Sequence, residues 1–108
     1  MALLSIQQVA ITGTTPSYGA VAASDTIVPD DRAFLIVKNA SGTADNVVVV
    51  VPGTTYGQAN PDVTVTVPIT TGERWIGPMT AALADPTTGL ITVTHSQTTS
   101  VTCALVRV

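Results

Sequence analysis

The sequence predicts an all-β domain: a single small β-sandwich, Ig-like or jelly-roll-like, with an extended N-terminal segment. Three observations carry this. Valine and threonine recur in short alternating runs, clearest at Val63-Thr64-Val65-Thr66-Val67, where valines take one face of a strand and threonines the other. Clusters of Gly, Pro, Asn and Asp interrupt these runs at strand-length intervals. The 108 residues suffice for one core and leave no linker or repeat to suggest a second domain.

Taken in order, residues 1–15 form an N-terminal arm or first strand, and 16–108 the sandwich. Strands are predicted at 6–12, 18–22, 33–39, 47–51, 63–67, 74–76, 90–95 and 101–108, each a run rich in β-branched or aromatic residues. The breaks fall at 13–16, 29–31, 40–46, 52–61, 68–72, 77–78 and 85–89. Ala81-Ala82-Leu83-Ala84 favours helix, but Pro78 and Pro86 fence it to one turn, so a loop with at most a short 3₁₀ or α turn is expected.

Two strands are apolar on both faces. Ala33-Phe34-Leu35-Ile36-Val37 reads as a central strand covered on both sides. The five valines 47–51 must show some side chains on the outer face of a two-layer sandwich unless a loop or a neighbouring subunit covers them. Asp45 before the run and Pro52 after it read as gatekeepers against strand pairing that spreads. The last strand sets Val101, Cys103 and Leu105 on one face and Ala104, Val106 and Val108 on the other, leaving no polar face. Both apolar strands are therefore expected to turn one face to a core and one to a protein interface, with Val49 and Val106 as probes of it.

Charge excludes several function classes. Only 10% of the residues are charged, against roughly 25% in an average domain. The mean hydropathy is +0.45 because Thr, Ser, Ala and Gly stand where Lys and Glu would be. Such a surface suits lasting contact with another macromolecule. The net charge of −3 and the scattering of Arg32, Lys38, Arg74 and Arg107 speak against nucleic acid. The start Met1-Ala2-Leu3-Leu4-Ser5-Ile6 reads as neither signal peptide nor membrane anchor, so no membrane is expected as partner. A lone Cys103 forms no internal disulfide and fits synthesis in a reducing cytoplasm.

No catalytic centre, cofactor site or metal site is expected. His95, the only histidine, reads as a strand-end residue with one hydrogen-bonded nitrogen, whose removal should leave function intact. Cys103 reads as a small buried hydrophobe, with a folding-made Cys–His pair as the rival. Asp30-Asp31-Arg32 ties down a turn. The remaining acids lack the spacing to supply the roughly six to eight oxygens of a calcium site. No glycine-rich turn between strand and helix is present to cradle phosphate. Asn39-Ala40-Ser41 reads as part of a turn rather than a glycosylation acceptor. Two aromatic residues stand out as contacts: Tyr56 in the long loop 52–61, against packing of that loop on itself, and Trp75, an interface anchor if it is not in the core.

The stretches Arg32-Ala33-Phe34-Leu35-Ile36-Val37-Lys38-Asn39-Ala40-Ser41-Gly42, the valine run with Pro52-Gly53, Glu73-Arg74-Trp75-Ile76-Gly77-Pro78 and Gly89-Leu90-Ile91-Thr92-Val93-Thr94-His95-Ser96 resemble the small β-sandwich decoration or cement proteins of tailed-bacteriophage capsids. The resemblance covers about the last three quarters of the chain and is one of strand and turn pattern. It implies a non-enzymatic virion structural protein, made in the host cytoplasm, that sits on the capsid exterior against the major capsid protein. It also implies a homo-oligomer, a trimer by preference, with residues 1–15 as an arm reaching a neighbour. On this reading Val49, Tyr56, Trp75, Val106 and Val108 are the candidate interface residues. The alternatives are a tail-tube or head–tail joining protein, and a carbohydrate-binding module built on a platform drawn from Tyr18, Phe34, Tyr56 and Trp75.

Overall fold

The computed structural model describes residues 2–108 and is an all-β sandwich. Met1, the first residue of the expected arm, lies outside the described residues. In chain order the strands are β1 (Ala2–Leu3), β2 (Ile6–Gln8), β3 (Gly19–Ala20), β4 (Ser24–Ile27), β5 (Ala33–Asn39), β6 (Asp45–Val49), β7 (Thr54–Thr55), β8 (Gln58–Ala59), β9 (Val63–Val67), β10 (Gly72–Ile76), β11 (Ile91–His95) and β12 (Val101–Arg107). The first sheet runs β1-β4-β11-β6-β9. The second runs β10-β5-β12-β2, with β3 also on β12, and β7 and β8 form a separate ribbon. The chain crosses between sheets from β4 to β5 to β6, and from β9 to β10 to β11 to β12. Most pairings are therefore long-range.

Alternation fills the space between the sheets. Ile27, Val47, Val49, Val67, Ile91 and Val93 from the first sheet meet Ala33, Leu35, Val37, Val101, Cys103 and Leu105 from the second, all essentially buried. The shortest dimension of the molecule, 19 Å, is what two sheets about 10 Å apart with side chains outside them require. Gly72 opens β10 where a side chain could not fit: a Cβ there would run into the backbone of Pro68. The expected single turn before Pro86 is a 3₁₀ turn at Ala81–Leu83.

Four expectations are corrected. The 47–51 strand begins two residues earlier, at Asp45, and ends at Val49. Asp45 is no gatekeeper at the surface; it points into the sandwich and is fully buried. Val49 is also in the core, 2% exposed, and is closed to a partner. The segment expected to reach a neighbour is instead taken into both sheets of its own chain: β1 pairs parallel with β4, and β2 pairs parallel with β12. Leu4 and Ile6 pack against the main core.

The apolar outer face of β12 finds its cover within the chain. Ile36, Ala104 and Val106 are buried in a second cluster with Tyr18 and Phe34 over them. Val106, expected near an interface, is 2% exposed for this reason. The outer face of the first sheet is uncharged and mostly hydroxylated: Ser24, Thr92, Thr94, Thr64 and Thr66 stand there with Asn46 and a half-buried Val48.

Candidate functional site

Side-chain parity and register place three of the four aromatic residues on one outer face. On β5, Phe34, Ile36 and Lys38 point away from the core; on β10, Glu73 and Trp75 do the same. Register sets Trp75 opposite Ile36 and Glu73 opposite Lys38. Tyr18, one residue before β3, joins them from the far side of β12. The Phe34 and Trp75 rings stack with centroids 5.2 Å apart and planes 16° from parallel. Trp75 keeps 65% of its surface exposed, so it belongs to this outer platform and not to the core. Lys38 Nζ lies 4.3 Å from the Tyr18 ring centre, within cation–π range, and 3.6 Å from Glu73 Oε1.

Where β5, β10 and β12 meet their loops, a cleft of about 550 Å³ opens beside the Lys38–Glu73 pair. Thr70, Thr71, Ser100 and Thr102 are among the residues that line it. Thr70 and Ser100 hold φ angles of 69° and 58°, left-handed backbone that such residues adopt at a cost. Thr70 is held there by its N–H, which donates to the Ser41 carbonyl, and the Ser100 carbonyl accepts from Ala40 N–H.

A second feature lies at one end of the sandwich. Register puts the ends of β2, β4, β6 and β12 and the start of β9 at this same end. The segments there carry Val9, Ile11, Val28, Tyr56, Val63 and Val108, all exposed, with Ile11 and Tyr56 wholly so. Tyr56 and Gly57 form a two-residue hairpin turn between β7 and β8, with φ angles of 53° and 77°. Both values suit a type I′ turn, in which tyrosine is a costly first residue. Asn60 braces the hairpin: its Nδ2 donates to the Pro52 carbonyl at 3.1 Å, and its Oδ1 accepts from Thr55 Oγ1 at 2.6 Å. The loop holds a phenol ring in solvent rather than folding onto it.

At the opposite end a polar group is sealed inside. His95 Nδ1 and Asp45 Oδ2 are 2.7 Å apart, with both side chains inaccessible to solvent. Because a carboxylate can only accept, the imidazole donates through Nδ1. Asp45 Oδ1 accepts from Gln97 N–H at 3.1 Å, and His95 Nε2 is buried without a partner among the described residues. Asn39 Nδ2 donates to the Thr43 and Val67 carbonyls, while its Oδ1 accepts from Ser41 N and Oγ. The Asn39 side chain thus organises the expected turn. His95 has its one hydrogen-bonded nitrogen, but as a buried partner of Asp45.

Cys103 is buried in the core, as expected. Burial, with a smaller push from the Asp25 carboxylate, raises its thiol from 9.0 to about 11. A neutral, enclosed thiol is a poor nucleophile, so alkylation by iodoacetamide should wait on unfolding. Between pH 9.0 and about 11 the unfolded chain loses the proton that the native chain keeps, so stability should fall as pH rises through that window. Urea titrations of wild type and Cys103→Ala across this range check the sign; equal slopes in both would refute it.

Of the five candidate contact residues, Tyr56, Trp75 and Val108 are exposed, and Val49 and Val106 are not. Ile11 fell inside the strand predicted at 6–12, which ends at Gln8, so its exposure in the following turn was not legible, and the left-handed Thr70 and Ser100 of the cleft look ordinary in sequence. Among the described residues no cluster of His, Cys, Asp and Glu could hold a metal, and no helix is long and apolar enough to cross a membrane. Comparison with family models, with curated proteins and with solved structures found no match for this chain.

Proposed function

We propose that this chain is a non-enzymatic virion structural protein that decorates the outside of a bacteriophage capsid, against the major capsid protein and as a homo-oligomer, with a trimer preferred. The observation that carries the reading is the apolar end. Six exposed aliphatic and aromatic side chains lie on the segments at that end, spread from the β2 edge to the β9 edge, on a chain with few charges, and its most exposed ring sits on a braced, strained hairpin. Exposed apolar side chains along one end offer contact to a protein surface. The resemblance of the strand and turn pattern to capsid decoration proteins supplies the kind of surface.

The test is binding of purified protein to shells of its own virus that lack it. Binding should raise the heat resistance of the shells by mass action and depend weakly on salt, because apolar burial dominates over ion pairs. The pair Ile11→Asp and Tyr56→Asp should each reduce shell affinity about tenfold or more, the range of a buried hydrophobic anchor, with unchanged melting temperature of the free protein. Failure to bind the shells, or full affinity in both variants, would overturn the reading.

A further inference from the structure

The aromatic platform and the cleft beside it, whose lining includes three threonines and a serine, lie side by side, and together they have the chemistry of a sugar site. One face of the Trp75 indole rests on Phe34, and the ring remains 65% exposed. An exposed, propped indole offers a flat apolar surface to the C–H face of a pyranose ring. Glu73 lies two residues along the same strand and the same face, about 7 Å from Trp75 at the strand repeat. A ring stacked on the indole therefore places its hydroxyls at the Lys38–Glu73 pair, beside the mouth of the cleft.

That pair supplies donors from an ammonium and acceptors from a carboxylate 3.6 Å apart. Hydroxyls, which both donate and accept, are matched by such a pair; for phosphates, sulfates and carboxylates the Glu73 repulsion offsets the Lys38 attraction. Thr70, Thr71, Ser100 and Thr102 line the cleft beside the pair, and two of these are held in left-handed backbone. The cleft, at about 550 Å³, is of the size that small-molecule sites commonly have.

We infer that the outer face of the second sheet binds a neutral carbohydrate, with a hexopyranose ring stacked on Trp75 and its hydroxyls paired with Lys38, Glu73 and the cleft. This goes beyond the capsid role, which uses the apolar end of the molecule.

Trp75 is the sole tryptophan, so its fluorescence reports on the site. The protein is titrated with neutral oligosaccharides of glucose, galactose, mannose and N-acetylglucosamine, with a sulfated polysaccharide as the charged control. At least one neutral oligosaccharide should give a saturable change in emission and a rise in melting temperature, both insensitive to salt. Lys38→Ala and Glu73→Ala should each weaken binding about tenfold, as expected for a lost charge-assisted hydrogen bond. Trp75→Ala should abolish the melting-temperature shift, and Thr64→Ala on the opposite sheet should leave it unchanged.

No response to any neutral oligosaccharide at about 10 mM, beyond the weak end of the affinity scale, would overturn the inference. So would salt-sensitive binding of the sulfated polymer alone. Protection of Trp75 from acrylamide quenching on the assembled shell would instead make this face a protein contact, and would overturn the sugar site while sparing the capsid reading.

Discussion

Asp45→Ala is expected to cost about 3–5 kcal/mol, the range for breaking a buried pair by removing one partner. Two groups lose their partner at once. The His95 ring loses its Nδ1 acceptor at 2.7 Å and keeps an Nε2 that already has no partner, and Gln97 N–H loses its acceptor at 3.1 Å. Bulk solvent touches neither side chain in the folded protein. Against a total stability of about 5–15 kcal/mol, this is a large fraction, and the melting temperature should fall by about 12 °C or more. His95→Ala should do comparable damage by leaving the carboxylate buried alone. The double variant should cost less than the sum of the two, because the second removal relieves a group the first has stranded. Thermal melts of the three variants check this; a loss under about 1 kcal/mol in Asp45→Ala would refute it. His95 is thus a residue of stability, and its replacement reaches function by way of the fold.

The second large effect is expected from removing residues 1–8. The truncated chain would lack β1 and β2, whose removal bares edges of β4 and β12. It would lose the Leu4 N–H bond to the Thr26 carbonyl and the Val9 N–H bond to the Arg107 carbonyl, if Val9 no longer holds its place. Two further bonds, from Gln7 Nε2 to the Ser17 carbonyl and from Ser17 N–H to Gln7 Oε1, fasten the next loop. Leu4 and Ile6 leave the core as well, and burial of such side chains contributes about 1.5–3 kcal/mol each when complete. The truncated protein should lose about 3 kcal/mol or more and self-associate through the bared edges. Urea unfolding and size-exclusion chromatography decide it. A truncated chain as stable and monodisperse as the full one would show that this segment is a dispensable arm after all.

Some elements were legible residue by residue. β5 and β9 match their predicted bounds because a continuous apolar run and a strict alternation are each local signals strong enough to define a strand. β4 gave no such signal: Ser24-Asp25-Thr26 is polar, and the strand exists because Asp25 and Ile27 turn inward while β11 pairs along its length. The β7–β8 ribbon was hidden inside a predicted loop because strands of two residues are held by their turn and not by a pattern. The residues of the proposed sugar site are each visible in the sequence as aromatics, hydroxyls or charges, but the four aromatics are spread through the chain and nothing local joins them. Register brings three of them together and sends Tyr56 to another end.

Alternation and turn chemistry were sufficient for the all-β class and for which side chains share a face of the strands they mark, since these are properties of a few consecutive residues. They could not say which face of a strand becomes the inside, nor what an uncharged, apolar outer face would meet. Those outcomes depend on pairings across the chain, such as Asp45 with His95 over a separation of 50 residues, or Trp75 with Ile36 across two strands. A carboxylate flanking a valine run looks like a surface guard until the opposing strand delivers an imidazole to it. The apolar back of β12 looks like an interface until Tyr18 and Phe34 close over it. Burial is a property of the assembled sheets, and it alone separates the residues that hold this molecule together from those left exposed at its surface.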